Sequence, residues 1–493
     1  MLLLSDRDRL CIQLIKMLKE RNYTYEELCK MFDISRNNLN KLISDLNAII
    51  GEPIILIQKV DITLNINNNL SYDGCISKIL SQSLEYHLLE QIFFNEDMSY
   101  LTLSLELFVS ESTIRKIIAR LNEKLALMDC AILTRPLRLE GDERTIRVLF
   151  FRLFKETYGL SNTPFKEEEK QYIDQFYDLD IPFAHRNKSL QERLNFQLLS
   201  LVALTREKHG HSMASVRKVG KALPAFLKLS NVLSNVPFLG VHKIPNSLSV
   251  EFIENVFSAF LHNDFLKVSN YKKLKLKDHP ELLSIYDFVT EVETLFNLPI
   301  NEEIKQLVCR DMYDGIFGYL SLTKEVIDLV VVNNEYVNFV ENADLLVKDI
   351  IPAIKKLYDK HIDASKTHYF PFAFYLLQTR FNHVFIEEIR ERLKVNILIY
   401  VDYDVYYAEY IKTRIEFELG DYVDIRIIEK KESLADLKQS GNLIITNLLL
   451  DGCDEENIIR ISHYFSYTIL DRIIVWVRQE KRKALNALVI KDE

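Results

Sequence analysis

Between Leu101 and Arg147 the apolar residues change their period twice. Leu101, Leu103, Leu105 and Leu107 alternate with polar residues, a spacing that on its own favours a strand. From Ile114 the period becomes helical: Ile114, Ile117, Ile118, Leu121 and Leu125 form one apolar face, and Ser110 stands where an N-cap belongs. The opposite face carries Ser112, Thr113, Arg115, Lys116 and Arg120. An apolar run from Ala131 to Leu133 follows, then a basic segment with Arg135 and Arg138, then a turn at Glu140, Gly141 and Asp142.

The same frame occurs earlier. In residues 23–47, YTYEELCKMFDISRNNLNKLISDLN, Ser35 is the cap and Ile34 precedes it. Phe32 closes a first helix, and Cys29 is the small residue where two helices cross. Leu39, Leu42, Ile43 and Leu46 face inward, leaving Arg36, Asn37, Asn38, Asn40 and Lys41 outward. Laid on this frame, Leu101–Leu107 reads as a helix, Val109 as the buried turn residue and Ser104 as the crossing residue; Phe108 stands where such turns usually have Gly. The outline is a helix-turn-helix, with a basic hairpin, or wing, after the second copy. Both copies are expected to bind double-stranded DNA through the outward residues named above, together with Arg135 and Arg138.

The rest of the pattern is mostly helical. A helix is expected over about 5–20, an extended pair at Ile54–Gln58 and Ile62–Ile66, a single connecting helix over 75–95, and a helix leaving the wing from Arg144 to near Gly159. Residues 160–168 read as a linker. Helix then follows helix from about 166 to 385, with a break near 268–280 at a lysine cluster. After Arg392, apolar runs at Val395–Val401, Val423–Glu429, Leu443–Thr446 and Ile473–Val477 alternate with helices at 405–419 and 432–439 and a terminal one, which predicts a small parallel sheet. The domain boundaries expected are 1–70, 71–160, 166–270, 280–388 and 393–493. The fold class is multidomain and mostly α, with a C-terminal α/β domain.

At 493 residues the chain is long enough for several cores. Its net charge of −9 is unusual for a nucleic-acid binder, but residues 111–155 hold ten Lys/Arg against six Asp/Glu, leaving 52 basic and 65 acidic residues elsewhere. A basic reader on an acidic body binds phosphates locally while the body disfavours nonspecific adsorption. The six cysteines show no paired spacing and read as reduced, mostly buried thiols. The longest charge-free run, Leu229–Val241, is too short to span a membrane, and MLLLSDRDR lacks the form of a signal peptide, so a cytoplasmic protein with no membrane partner is expected. There is no GxxxxGK[ST], no GxGxxG, no HExxH and no compact metal-ligand set, so no cofactor, metal or catalytic residue is expected.

Two helix-turn-helix units, two helical domains and a small α/β domain in this order resemble the Mga/AtxA group of Gram-positive virulence regulators, most specifically over 99–154, where RPLRLEGDE runs into TIRVLFFRLF. The resemblance implies a dimeric transcriptional regulator, usually an activator, with two PTS-regulation-like (PRD) domains phosphorylated on histidine through the phosphocarrier protein of the sugar phosphotransferase system, and an EIIB-like C-terminal domain. A phosphoacceptor is a neutral, partly exposed imidazole. His209 and His211, at a polar helix end beside Gly210, offer the best access; His262, and His368 or His383 in the second domain, are the other candidates. The loop after the first C-terminal strand, Val401–Tyr407, has no cysteine and two acids, unlike a phosphate-carrying EIIB, so docking or homodimerisation through Tyr and Phe of 403–417 is favoured over catalysis. A phosphocarrier component and a protein-binding scaffold remain alternatives.

Overall fold

The computed structural model describes residues 3–58, 61–66, 70–159, 162–177, 190–213, 250–261, 279–298, 300–332, 334–343, 345–381, 394–430, 443–448, 457–462 and 464–490. His262, His383, Cys453, the lysine cluster and the expected helix at 432–439 lie outside them. The chain forms two compact units, Met1–Leu274 with Asp314–Glu335, and Lys275–Tyr313 with Tyr336–Glu493.

The first unit opens with α1 (Asp6–Glu20), β1 (Tyr23–Thr24), α2 (Tyr25–Phe32), α3 (Arg36–Ile50), β2 (Ile55–Gln58) and β3 (Asp61–Leu64). The strands form an antiparallel sheet in the order β1-β3-β2. Then come α4 (Tyr72–Leu80), α5 (Leu84–Phe94), α6 (Tyr100–Glu106), α7 (Glu111–Leu125), the hairpin β4 (Ala131–Thr134) and β5 (Leu137–Glu140), and α8 (Glu143–Tyr158). The connecting segment is therefore two helices, broken at Ser81–Ser83, where one was expected. The leucine alternation before Ser110 is α6: only Leu103 is buried, and the frame taken from the first copy outweighs the local period. Next in the chain are α9 (Glu167–Tyr177), α10 (Leu190–Lys208), α11 (Val250–Val256) and α12 (Ser258–Leu261).

The caps explain the boundaries. Thr24 and Glu27 form a reciprocal capping box on α2. The hydroxyls of Ser35 and Ser110 accept from the amides of Asn38 and Thr113, at 3.3 and 3.2 Å. Asp142 accepts from the Thr145 amide at 2.8 Å and so starts α8. The apolar faces of both copies, together with α4, α5 and α8, join one core. Phe93, Phe94, Phe150, Phe154 and Phe165 stack within it, mostly edge to face.

The second unit contains α13 (Pro280–Phe296) and most of α14 (Glu302–Phe317); α15 (Lys324–Val330) belongs to the first unit, and α16 (Glu335–Glu341), α17 (Leu345–His361) and α18 (Phe370–Arg380) continue the helical run. A parallel four-stranded sheet follows, in the order β7-β6-β8-β9, from β6 (Val395–Tyr400), β7 (Val423–Ile427), β8 (Leu443–Thr446) and β9 (Ile458–Arg460), with α19 (Val405–Leu419) after β6. The strand expected at Ile473–Val477 is instead inside α20 (Tyr467–Ile490). Leu470, Ile473 and Val477 are buried at helical spacing while Val475 is half exposed, and a five-residue apolar run cannot by itself tell a buried strand from a buried turn of helix. The fourth strand is β9, too short to have been read. Asp404 caps α19, accepting from the amides of Tyr406 and Tyr407, so the first-turn donors that could hold a phosphate are already occupied by a carboxylate. Cys11, Cys75, Cys130 and Cys309 are buried free thiols, and burial pushes Cys11 up to about 12 and Cys130 up to about 11.

Candidate nucleic-acid interface

The two helix-turn-helix copies correspond position by position at a shift of 75 residues. Leu28 and Leu103 are buried at the helix crossings; Leu39, Leu42, Ile43, Leu46 and Ile50 occupy the same places as Ile114, Ile117, Ile118, Leu121 and Leu125. The turn residues Asp33 and Phe108 both adopt left-handed backbone at φ 53°, the conformation for which Gly is the usual choice. Tyr25 donates its hydroxyl to Asn40 at 2.7 Å, and the corresponding Tyr100 ring lies 4.0 Å beneath the Arg115 guanidinium.

A matching pair escaped the sequence reading. Asn47 donates to the carbonyl of Ile55 (3.1 Å) and accepts from its amide (3.0 Å); Asn122 does the same to Ile132, at 3.0 and 2.7 Å. Each side-chain amide thus fixes the first hairpin strand to the outward-facing helix, α3 or α7. The signal was available: both asparagines stand twelve residues after their cap serines.

Arg36, Asn37, Asn38, Asn40 and Lys41 are all exposed on α3, with Arg36 stacked on the Tyr25 ring at 4.3 Å. On α7, Ser112, Arg115 and Lys116 are exposed and Thr113 is half-buried; Ser112 and Thr113 share hydroxyl contacts with Ser110. Arg115 also pairs with Glu111 at 3.4 Å. Arg120 ion-pairs with the buried Glu85, and Arg138 with Glu140. Among the described residues, Lys41, Lys116 and Arg135 make no ion pair. The local surplus of +4 therefore overstates the outward charge, because several of its arginines serve the protein itself.

Two arginines of the first unit, only one of them within 111–155, are almost fully enclosed. Arg147 and Arg206 are each 1% exposed. Arg206, at the end of α10, reaches Glu143 on α8 (2.8 Å), Glu96 before α6 (3.0 Å) and the Leu139 carbonyl of β5 (3.1 Å). Arg147 binds Glu143 (2.9 Å), Glu207 (2.7 Å) and the carbonyls of Asn255 and His211. Burial raises the Glu207 carboxyl, although Arg147 opposes the shift. His211 places Nε2 2.8 Å from both oxygens of Glu96. His209 stands with Nδ1 3.9 Å from Glu96, and burial lowers its affinity for a proton. The helix end is thus less open than its polar sequence suggests: the side chains of His209 and His211 are 24% and 17% exposed. His368, in a 3-10 turn at Ala364–Tyr369, is half-buried against Tyr369.

Comparison with known proteins fits the second copy. Residues 68–154 match the family model of the Mga helix-turn-helix domain. The second copy is similar to the Mga helix-turn-helix domain. The match spans α4 to α8, so it includes the wing and Asn122. Three relatives extend along most of the chain. A Streptococcus pneumoniae protein described as a trans-acting regulator is 20% identical, covering 93% of this chain and 94% of its own. The capsule synthesis positive regulators AcpA and AcpB of Bacillus anthracis are 21% and 20% identical, covering 83% and 89% of this chain and 86% and 92% of theirs. The likeness to Mga/AtxA regulators read from the sequence stands. Among the described residues, no helix is long and apolar enough to cross a membrane.

Proposed function

We propose that this protein is a cytoplasmic, DNA-binding transcriptional activator that reads promoter DNA with α3 and α7. The observation that carries the reading is the Mga-type helix-turn-helix with its asparagine-anchored hairpin, present in a second, geometrically equivalent copy. Lys116, Arg115 and Arg135 supply phosphate and base contacts from the second copy; Lys41, Arg36 and the exposed asparagines supply them from the first. Arg120 acts chiefly by neutralising Glu85. Replacing Arg115 and Lys116 with Ala should weaken binding to a promoter fragment and lower its salt slope by about one to two units. An unchanged slope would sink the assignment of α7.

The reading extends to regulation. Residues 166–270 and 280–388 act as PRD-like domains that receive phosphate from the phosphocarrier protein, and 393–493 as an EIIB-like domain without its own phosphate. The neutral imidazole favoured at His209 supports that site as acceptor. Phosphate on His209 or His211 would bring about −1.5 to −2 charges beside Glu96, and Glu96 shares Arg206 with the wing carbonyl of Leu139. His262, His368 and His383 are further acceptors on this reading. Exposed Tyr406, Tyr410 and Phe417 support homodimerisation through α19.

A further inference from the structure

The two copies share a backbone but differ on one outward face. On α2 and its turn the exposed residues are Glu26, Lys30 and Asp33; at the same three places after a shift of 75 residues stand Leu101, Leu105 and Phe108. These are 57%, 66% and 94% exposed. The fold does not need apolar side chains there, because the first copy keeps the same crossing, turn and caps with charged ones. Phe108 even holds a left-handed turn position that disfavours a bulky residue. Among the described residues, nothing in the first unit's packing accounts for the change.

We propose that Leu101, Leu105 and Phe108 form a docking stripe for a basic, DNA-bound protein, the RNA polymerase holoenzyme held on the same promoter. Charge selects the class of occupant. Residues 95–110 expose the carboxylates of Asp97 and Glu106 and contain no Lys or Arg, which repels phosphate and suits a surface whose basic groups already track DNA. Area selects the mode. The stripe exposes on the order of 400 Å², about half of what one partner contributes to a stable complex. It suits a contact that forms when both proteins are fixed on one DNA, where the local concentration is high. The inference rests on the activator reading above.

The test uses the full chain carrying Leu101→Glu, Leu105→Lys and Phe108→Asp, the residues that the first copy bears at these positions. A genomic fragment selected by the intact protein, with purified bacterial RNA polymerase holoenzyme, is assayed for DNA shift, ternary complex and transcript. The fragment should be bound within about twofold of wild type, while ternary complex and transcript fall about tenfold or more. Unchanged recruitment overturns the proposal. Parallel loss of DNA binding would assign the stripe to the DNA contact, and a lighter species in sedimentation would assign it to a second copy; either result also overturns it. Wild-type protein that shifts the fragment but recruits no polymerase would instead fell the activator reading, and this inference with it.

Discussion

Replacing Arg206 with Met removes the guanidinium at which α10, α8, β5 and the segment before α6 meet. Its partners stay behind: the Glu143 carboxylate keeps Arg147, but Glu96 is left with His211, and the Leu139 carbonyl loses its donor at 3.1 Å. Breaking a buried ion pair from one side costs about 3–5 kcal/mol, because the opposite charge remains desolvated. Amides that open together with this network should then exchange roughly 10²–10³-fold faster. Hydrogen exchange followed by mass spectrometry would read the effect in peptides covering residues 131–140 and 190–208, with the second unit as an internal control. Arg206→Lys keeps the charge but cannot span three acceptors, and should fall between the two. If exchange in 131–140 is unchanged in a folded Met variant, Arg206 does not anchor the wing.

Two further outcomes follow from local geometry. A Cβ at Gly141 would lie 2.6 Å from the Asp129 carbonyl oxygen and the Cys130 sulfur, at a φ of +150°, so Gly141→Ala should cost about 1–3 kcal/mol and lower the melting temperature by several degrees; a change under about 1 °C refutes the account. Burial lowers the His209 pKa, so the folded chain binds that proton less readily than the unfolded chain, whose imidazole titrates near 6.5. Its stabilising contribution is therefore complete above about pH 6.5 and is withdrawn as pH falls through the unfolded value toward the folded one. Urea midpoints should drop between about pH 7.5 and 5.5, with a flatter profile in His209→Gln; identical slopes would exclude His209 as the cause.

What the sequence disclosed depended on whether local chemistry repeated. Ser35 and Ser110, each followed by an apolar face in the same phase, place both helix-turn-helix copies closely, and the frame of the first copy resolves the strand-like leucines of the second. The run Ile473–Val477 had no such partner, and only tertiary burial decides that it is helix. Charge was least legible. Arg147 and Arg206 look like ordinary polar positions in amphipathic helices, and their burial depends on acids 63 or more residues away in the case of Arg206. Lys116 and Arg135, by contrast, are exposed and make no ion pair among the described residues.

The single core under both copies has a consequence for the DNA. Two readers on a flexible tether tolerate a change in the distance between their sites, but α3 and α7 are set in one packed body through α4, α5 and α8. Their separation and rotational phase are then fixed by methyl groups and rings in the interior. On the proposed reading, operator spacing is written into the protein's interior, and a promoter with half a helical turn of DNA inserted between the two contacts could satisfy only one reader at a time.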